Sequence, residues 1–454
     1  MSNSDKKPSH FRSVVISSLM GTAIEWYDFF LYGTAAALVF NHLFFPSLSP
    51  LAGTMAAFAS YAVGFFARPI GGIIFGHFGD KIGRKSMLVT TLLMMGLSTF
   101  LVGLLPTYDR IGILAPALLV FLRVIQGLAV GGEWGGAVLM VSEHSQNNRR
   151  GFFASLVQVG VPIGLLLATG VFSLFSMLSE EAFLSWGWRV PFLLGIVLTG
   201  LGFYIRLKVM ESPVFEQAKS EKPASKLPIL EVLKTHRKSV FLSMGARMAE
   251  NACFYIFTIW VLNYATQTLG MSRSTLLNGV LIGSGIQLVA IPFFGGLSDR
   301  LGRRPVYLWG AILLMLFAFP FFWLVQTESV GCVWLAIVLG MIGHAAMYGP
   351  QAAFFAELFG TRTRYTGASL GYQLASPFAG GLAPLIASAL LVWAGGGTWL
   401  IALYLIALSF VTIVSVLLAA ETNRADLGDG LNRPVDIAGK MAAKGALAAC
   451  PRLV

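Results

Sequence analysis

The chain has 454 residues, of which 56% are hydrophobic and 12% charged. Soluble domains carry about a quarter charged residues, so this sequence cannot cover its apolar surface in water and a soluble globular fold is excluded. The formal net charge of +11 would suit a nucleic-acid ligand, but the placement of the charges assigns them to membrane topology instead.

A helix needs about 20 apolar residues to cross a bilayer. In chain order the apolar runs predict spans over 13–40, 53–75, 86–105, 112–142, 151–177, 189–209, 240–268, 275–297, 306–325, 331–358, 365–393 and 397–420. The run after Arg12 is interrupted by Glu25 and Asp28 and is too long for the core of a cleaved signal. The longest internal polar stretch follows span six. The expected organisation is a cytoplasmic N-terminus (1–12), a six-helix bundle (13–209), a cytoplasmic central loop (210–239), a second six-helix bundle (240–420) and a cytoplasmic tail (421–454).

With the N-terminus inside, 26 of the 32 Lys and Arg residues fall on the cytoplasmic side. Only Arg110, Arg189 and Arg273 face out, and Arg68, Arg123 and Arg247 lie within spans. This asymmetry obeys the positive-inside rule and removes the case for nucleic acid. Cys253, Cys332 and Cys450 show no metal-ligand or disulfide spacing. The expectation is no metal, no cofactor and no enzyme, since neither a nucleophile–base set nor a phosphate loop is present.

The sequence repeats itself. Gly76-His-Phe-Gly-Asp80-Lys-Ile-Gly-Arg84-Lys after span two recurs as Gly295-Gly-Leu-Ser-Asp299-Arg-Leu-Gly-Arg303-Arg after span eight. Glu143 and Arg150 are spaced as Glu357 and Arg364 are, and Ala154-Ser-Leu recurs at Ala368-Ser-Leu. Two such matches make the halves parallel repeats, with a solute site expected between them near the midplane. The twice-present G-x3-D-[RK]-x-G-[RK] loop resembles the signature of the major facilitator superfamily, and Arg123-Val-Ile-Gln126-Gly127 resembles its span-four arginine motif, which is associated with proton coupling. Glu25-Trp-Tyr-Asp28-Phe, Arg68-Pro-Ile-Gly-Gly and Gly131-Gly-Glu133-Trp-Gly-Gly narrow the resemblance to the metabolite:proton symporters, a family with permeases for shikimate, 2-oxoglutarate, citrate and proline or betaine. The resemblance covers roughly residues 12–420. It implies an all-α membrane fold of twelve transmembrane helices in two pseudo-symmetric six-helix bundles, with spans one, four, seven and ten lining the cavity. It also implies a monomer in the bacterial inner membrane.

Ionisable residues within a span cost about 2.5–3.5 kcal/mol each on insertion scales, so those present mark function. Glu25, Asp28 and Tyr32 share one face of span one, and Arg123, Gln126 and Glu133 one face of span four. Arg247, Glu250 and Asn251 share a face of span seven, and His344, Tyr348 and Gln351 one of span ten. The candidate proton-coupling residues are Asp28, Glu25, Arg123 and Glu133. The candidate substrate contacts are Arg68, Tyr32, Gln126, Gln158, Arg247, Glu250, Asn251, His344 and Tyr348. Asp80, Arg84, Glu143, Arg150, Asp299, Arg303, Glu357 and Arg364 form candidate cytoplasmic gates, Asp80 bridging to the facing half and Asp299 acting within its own.

The mechanism expected is proton-coupled symport of a small organic anion or zwitterion by alternating access, with protons and lipid as the other partners. Asp28 or Glu25 takes the proton. Arg68 or Arg123 pairs with that carboxylate when the site is empty and with the solute's carboxylate when it is loaded. A proline/betaine-type osmolyte symporter and a proton-driven exporter remain open as alternatives.

Overall fold

The computed structural model describes residues 7–82, 84–145, 147–208, 232, 234–359 and 364–424. The outermost N-terminus, most of the central loop and the tail beyond 424 lie outside the described residues. Among those described, twelve long helical runs follow one another: α1 (Lys7–Leu38), α2 (Pro50–Ile82), α3 (Arg84–Leu104), α4 (Leu114–Gly131, resuming at Trp134–His144), α5 (Arg150–Gln158, then Gly160–Ser176) and α6 (Arg189–Lys208). The second set is α7 (Arg237–Tyr255, through a π-helical turn Ile256–Trp260 to Val261–Gln267), α8 (Arg273–Leu301), α9 (Arg303–Gln326), α10 (Val330–Glu357), α11 (Arg364–Ala375, a π-helical turn Ser376–Gly381, then Ala383–Trp393) and α12 (Trp399–Leu418).

Eight of these runs are long and apolar enough to cross a membrane on their own, and α6 makes a ninth if its 41° bend from Glu180–Gly187 is taken as one span. The apolar part of α3 is shorter (Val89–Leu104). Helices α1 and α7 fall short because they carry the interior charges Glu25, Asp28, Arg247 and Glu250. The solvation pattern is inverted relative to a soluble protein. Val289, Trp309, Leu316 and Phe410 point outward, while Arg68, Arg123, Arg150, Arg247 and Arg303 are all at most 1% exposed. Such a surface belongs in lipid, and such an interior must find partners for its charges.

The repeat is visible in the packing. In the first half α1 packs on α5, α2 on α4 and α3 on α6; in the second α7 packs on α11, α8 on α10 and α9 on α12. Across the halves α5 meets α8 and α10, and α2 meets α11. The α2–α4 pair comes together through glycine. A Cβ on Gly127 would stand 2.0 Å from the Gly64 carbonyl oxygen, and one on Gly131 2.0 Å from that of Arg68. Small residues thus let two backbones touch at the level where α2 and α4 carry Arg68 and Arg123. Between α8 and α9, Gly302 at φ 108° makes the turn that only glycine adopts without strain.

Gly131→Ala therefore destabilises the fold by at least about 1–3 kcal/mol through overpacking, read as a lower thermal midpoint of the purified protein. Gly200→Ala, whose Cβ would meet nothing within 4 Å, leaves the midpoint unchanged. Equal midpoints for the two variants would contradict the close α2–α4 approach.

Candidate functional site

In the first half, Arg68 and Arg123 both rest on aromatic faces. The Arg123 guanidinium carbon lies 3.8 Å from the ring centre of Phe29, 4.4 Å from that of Tyr32 and 4.6 Å from that of Tyr61. Arg68 lies 4.0 Å from Phe29, 4.4 Å from Phe65 and 5.1 Å from Trp26. Each such contact contributes about 0.5–2 kcal/mol when desolvated, which offsets part of the burial cost. Gly64 makes room for Arg123, since a Cβ there would sit 2.5 Å from its Nε.

Neither arginine meets Asp28, contrary to the direct pairing expected from the sequence. The Asp28 carboxylate turns the other way, against α3 and α6, beside Thr99 and 3.2 Å from where a Cβ on Gly195 would stand. The route between them is indirect. Arg123 Nη1 donates to Gln126 Oε1 (3.0 Å), and Gln126 Nε2 donates to Thr99 Oγ1 (2.9 Å), next to Asp28. Consecutive positions on a helix diverge by about 100°, so Asp28 and Phe29 necessarily face different neighbours. Tyr32 donates to Ser60 Oγ (2.9 Å), and Gln158 Oε1 accepts from Trp134 Nε1 (2.9 Å). Glu25 and Glu133 are buried on α1 and at the break in α4.

The second half holds one connected network. Arg247 lies 3.4 Å from Glu250 (Nε to Oε2), donates to Ser376 Oγ (2.6 Å) and to the Tyr372 carbonyl, and covers the Tyr372 ring. Glu250 Oε1 stands 2.9 Å from His344 Nε2, and its Oε2 accepts from Gln351 Nε2 (3.1 Å). Gln351 also donates to Tyr307, which donates on to the Ala246 carbonyl. Gln287 stands behind His344, 2.8 Å from Nδ1.

The two halves meet at a cavity lined by Trp26 and Val161 from the first and by Arg247, Glu250, Asn251, Tyr255, His344, Tyr348 and Tyr372, among others, from the second. Its volume is about 10 Å³, room for about one water molecule, so this conformation is occluded. Beneath it the Trp134 ring stacks on Tyr372 at 3.8 Å across the interface, and Gln373 donates to the Gly131 carbonyl.

At the cytoplasmic end, Arg150 of α5 pairs with Glu357 of α10 at 2.9 Å. Glu357 also binds Arg303 (3.1 Å), which in turn binds Asp299 (2.7 Å). Asp299 accepts from the backbone N–H groups of Gly151 (2.7 Å) and Phe152 (2.9 Å) at the start of α5. Asp299 therefore acts within its own half through Arg303, as expected, and also reaches across to cap a helix N-terminus, where the dipole favours an anion. The gate has members that the sequence did not suggest. The Thr422 hydroxyl donates to Glu357 (2.7 Å), and the Glu421 carboxylate accepts from the backbone N–H of Arg303 (2.8 Å) and of Arg304 (3.0 Å). The side chains of Asp80, Arg84, Glu143 and Arg364 lie outside the described residues.

The outer end is closed more lightly. Asn263 donates to the Ala37 carbonyl (3.0 Å), and Arg273 pairs with the exposed Glu180 (2.9 Å). His42 stands nearby, and burial, followed by the Arg273 charge, holds its imidazole below the usual range. Arg189 donates to the carbonyls of Gly103 (2.9 Å) and Leu105 (2.6 Å) at the end of α3. It caps that helix end.

The cavity thus gathers Arg247, Glu250, Asn251, His344 and Tyr348 directly, with Arg68 behind its Trp26 wall. Tyr32, Gln126 and Gln158 stand away from it, in hydrogen bonds of their own. Trp26, Tyr255, Tyr372, Thr99 and Gln287 are additions. Among 35 Phe, 12 Tyr and 10 Trp residues, no single aromatic stands out in the sequence.

The sequence pattern of the Major Facilitator Superfamily matches residues 18–376. The shikimate transporter of Escherichia coli (strain K12) is 46% identical over 422 residues, 92% of this chain and 96% of that protein. The proline/betaine transporter of the same organism is 33% identical, covering 90% of this chain and 84% of its own length. Among solved structures, the proton:xylose symporter XylE bound to 6-bromo-6-deoxy-D-glucose superposes with a TM-score of 0.71 at 19% identity, covering 91% of this chain and 97% of that one.

Glu357→Gln leaves two buried arginines short of their shared counter-charge, a loss of about 3–5 kcal/mol for a broken buried pair. A cysteine placed at Ser155, with the native cysteines replaced, should then react severalfold faster with a polar thiol reagent applied from the cytoplasmic side. Equal labelling rates with and without Glu357→Gln would show that this lattice does not hold the gate.

Proposed function

The chain belongs to the major facilitator superfamily, and from that premise we propose that it is a proton-coupled symporter of the bacterial inner membrane whose solute is a small organic acid of the shikimate type. That it is a multi-pass membrane transporter of small metabolites, and not an enzyme, follows from the family itself. The finer reading rests on Arg68. Its guanidinium is fully buried, and its nitrogens make no hydrogen bond to any described residue. It lies beside the cavity, within electrostatic reach of Tyr255, Tyr372 and Arg247. A buried guanidinium without an acceptor is costly, and a solute carboxylate supplies the bidentate acceptor that its planar fork fits. Asn251 and Tyr348 offer polar contacts for hydroxyl groups, and Trp26 an apolar wall for a ring.

Asp28 is the proton carrier in this reading, out of contact with the cavity and joined to Arg123 through Thr99 and Gln126. One observation favours a second solute class. The tyrosines and Trp26 around Glu250 would also suit a quaternary ammonium group, as in the betaine named for one relative. Uptake by proteoliposomes under an imposed pH gradient, with shikimate and betaine supplied in turn, separates the two.

Arg68→Gln is expected to weaken shikimate binding by more than about tenfold, and Arg68→Lys to restore little, because a point charge lacks the fork. Asp28→Asn should abolish uphill uptake while leaving solute exchange between the two sides intact. Accumulation that persists in Asp28→Asn under a pH gradient removes the proton from Asp28. Unaltered binding in Arg68→Gln removes the carboxylate from Arg68.

A further inference from the structure

Two guanidiniums flank the cavity, and they are not equivalent. Arg68 has no hydrogen-bond acceptor among the described residues. Arg247 already has Glu250, Ser376 and the Tyr372 carbonyl. The carboxylate on Arg247 is therefore one that the protein supplies itself.

Glu250 is also fixed in place. Gln351 donates to its Oε2, and His344 approaches its Oε1 at 2.9 Å. Gln287 determines which partner carries the proton in that second contact. Its Nε2 donates to the Met341 carbonyl at 3.0 Å, which orients the amide, and the same nitrogen lies 2.8 Å from His344 Nδ1. Facing an N–H donor, Nδ1 must accept, and a neutral imidazole that accepts at Nδ1 carries its hydrogen on Nε2, towards Glu250. His344 and Gln351 thus both donate to Glu250, and Arg247 faces it as a charge at 3.4 Å. Glu250 is 2% exposed and cannot turn away from the cavity without leaving two donors unmet and the Arg247 charge unopposed.

We propose that Glu250 is the specificity-determining residue of the cavity: it occupies on Arg247 the place of a second solute carboxylate, so the site accepts monocarboxylates and rejects dicarboxylates. The inference rests on the carboxylate reading of Arg68 given above. A monocarboxylate finds one unpaired guanidinium. A dicarboxylate brings a second negative charge against Glu250, and selectivity of this kind is commonly built from such repulsion. Glu250→Gln keeps the shape and the acceptor for His344, removes the repulsion and leaves the Arg247 charge unopposed.

The test is equilibrium binding of shikimate and of succinate, at neutral pH, to the purified full-length protein and to Glu250→Gln. The wild type should bind shikimate at least about tenfold more tightly than succinate, and Glu250→Gln should narrow or reverse that ratio by at least about tenfold. A folded Glu250→Gln with an unchanged ratio overturns the proposal, as does one that binds neither acid. A wild type that binds succinate as tightly as shikimate overturns it without any variant, so poor folding of Glu250→Gln does not protect it. A wild type that binds neither acid fails at the earlier step: it removes the carboxylate reading of Arg68, and this inference with it.

Discussion

Glu357 holds two buried arginines at once, Arg150 from the facing half and Arg303 from its own, and takes a third donor from Thr422. A buried ion pair stabilises only when its remaining donors and acceptors are also met. Here they are met by a short closed lattice: Arg303 continues to Asp299, and Asp299 ends on the N-terminal amides of α5. Within this lattice, every link that crosses the halves ends on α5. Parting α5 from α8 and α10 therefore breaks the Arg150 pair and the Asp299 cap together, and the groups released need water, which lies on the cytoplasmic side. The occluded cavity, the Trp134–Tyr372 stack below it and the isolation of Arg68 all depend on that end staying shut.

The cavity level obeys the opposite rule. The gate satisfies its charges internally, whereas Arg68 is left on aromatic faces that offset only part of its desolvation. In the proposed cycle the solute completes what the fold leaves incomplete, and the empty occluded form is correspondingly less stable than the loaded one. The repeat supplies equal scaffolds for unequal chemistry. Helix pairs match between the halves, yet Arg247 stands 219 positions after Asp28, the same interval that separates Asp299 from Asp80. One half places an acid at that position, and the other places the arginine that Glu250 neutralises.

The helices were legible because a membrane span is a strong signal: the predicted runs over 189–209 and 331–358 appear as Arg189–Lys208 and Val330–Glu357. The interior charges were legible for the same reason, since each stands out against apolar neighbours. Partnership was not. Depth and helix face can be counted along a sequence, but the rotation of one helix against another cannot. That is why the sequence alone leaves Asp28 and Glu25 as equal partners for an arginine although Asp28 faces Thr99 and Gly195, and why it does not show Asp299 reaching α5. Thr422 and Glu421 follow the last apolar run, where a polar residue carries no contrast, and the two donors to Glu250, His344 and Gln351, come from α10, far from it in sequence.

Asp28 and Phe29 illustrate how adjacency in sequence becomes coupling in space. On α1 they point about 100° apart, Asp28 towards α3 and α6, Phe29 towards the arginines. The Phe29 ring is the one surface that Arg68 and Arg123 share, at 4.0 and 3.8 Å. In the proposed cycle, a proton gained or lost at Asp28 acts on the seat of α1 against α3 and α6, and the same helix carries the ring under both guanidiniums. The Gln126–Thr99 link ties Arg123 to the other side of that seat. In that cycle a proton and a carboxylate need not touch to be coupled: one helix turn, packed on an acid's neighbours on one face and under two arginines on the other, is the physical link between the two proposed sites.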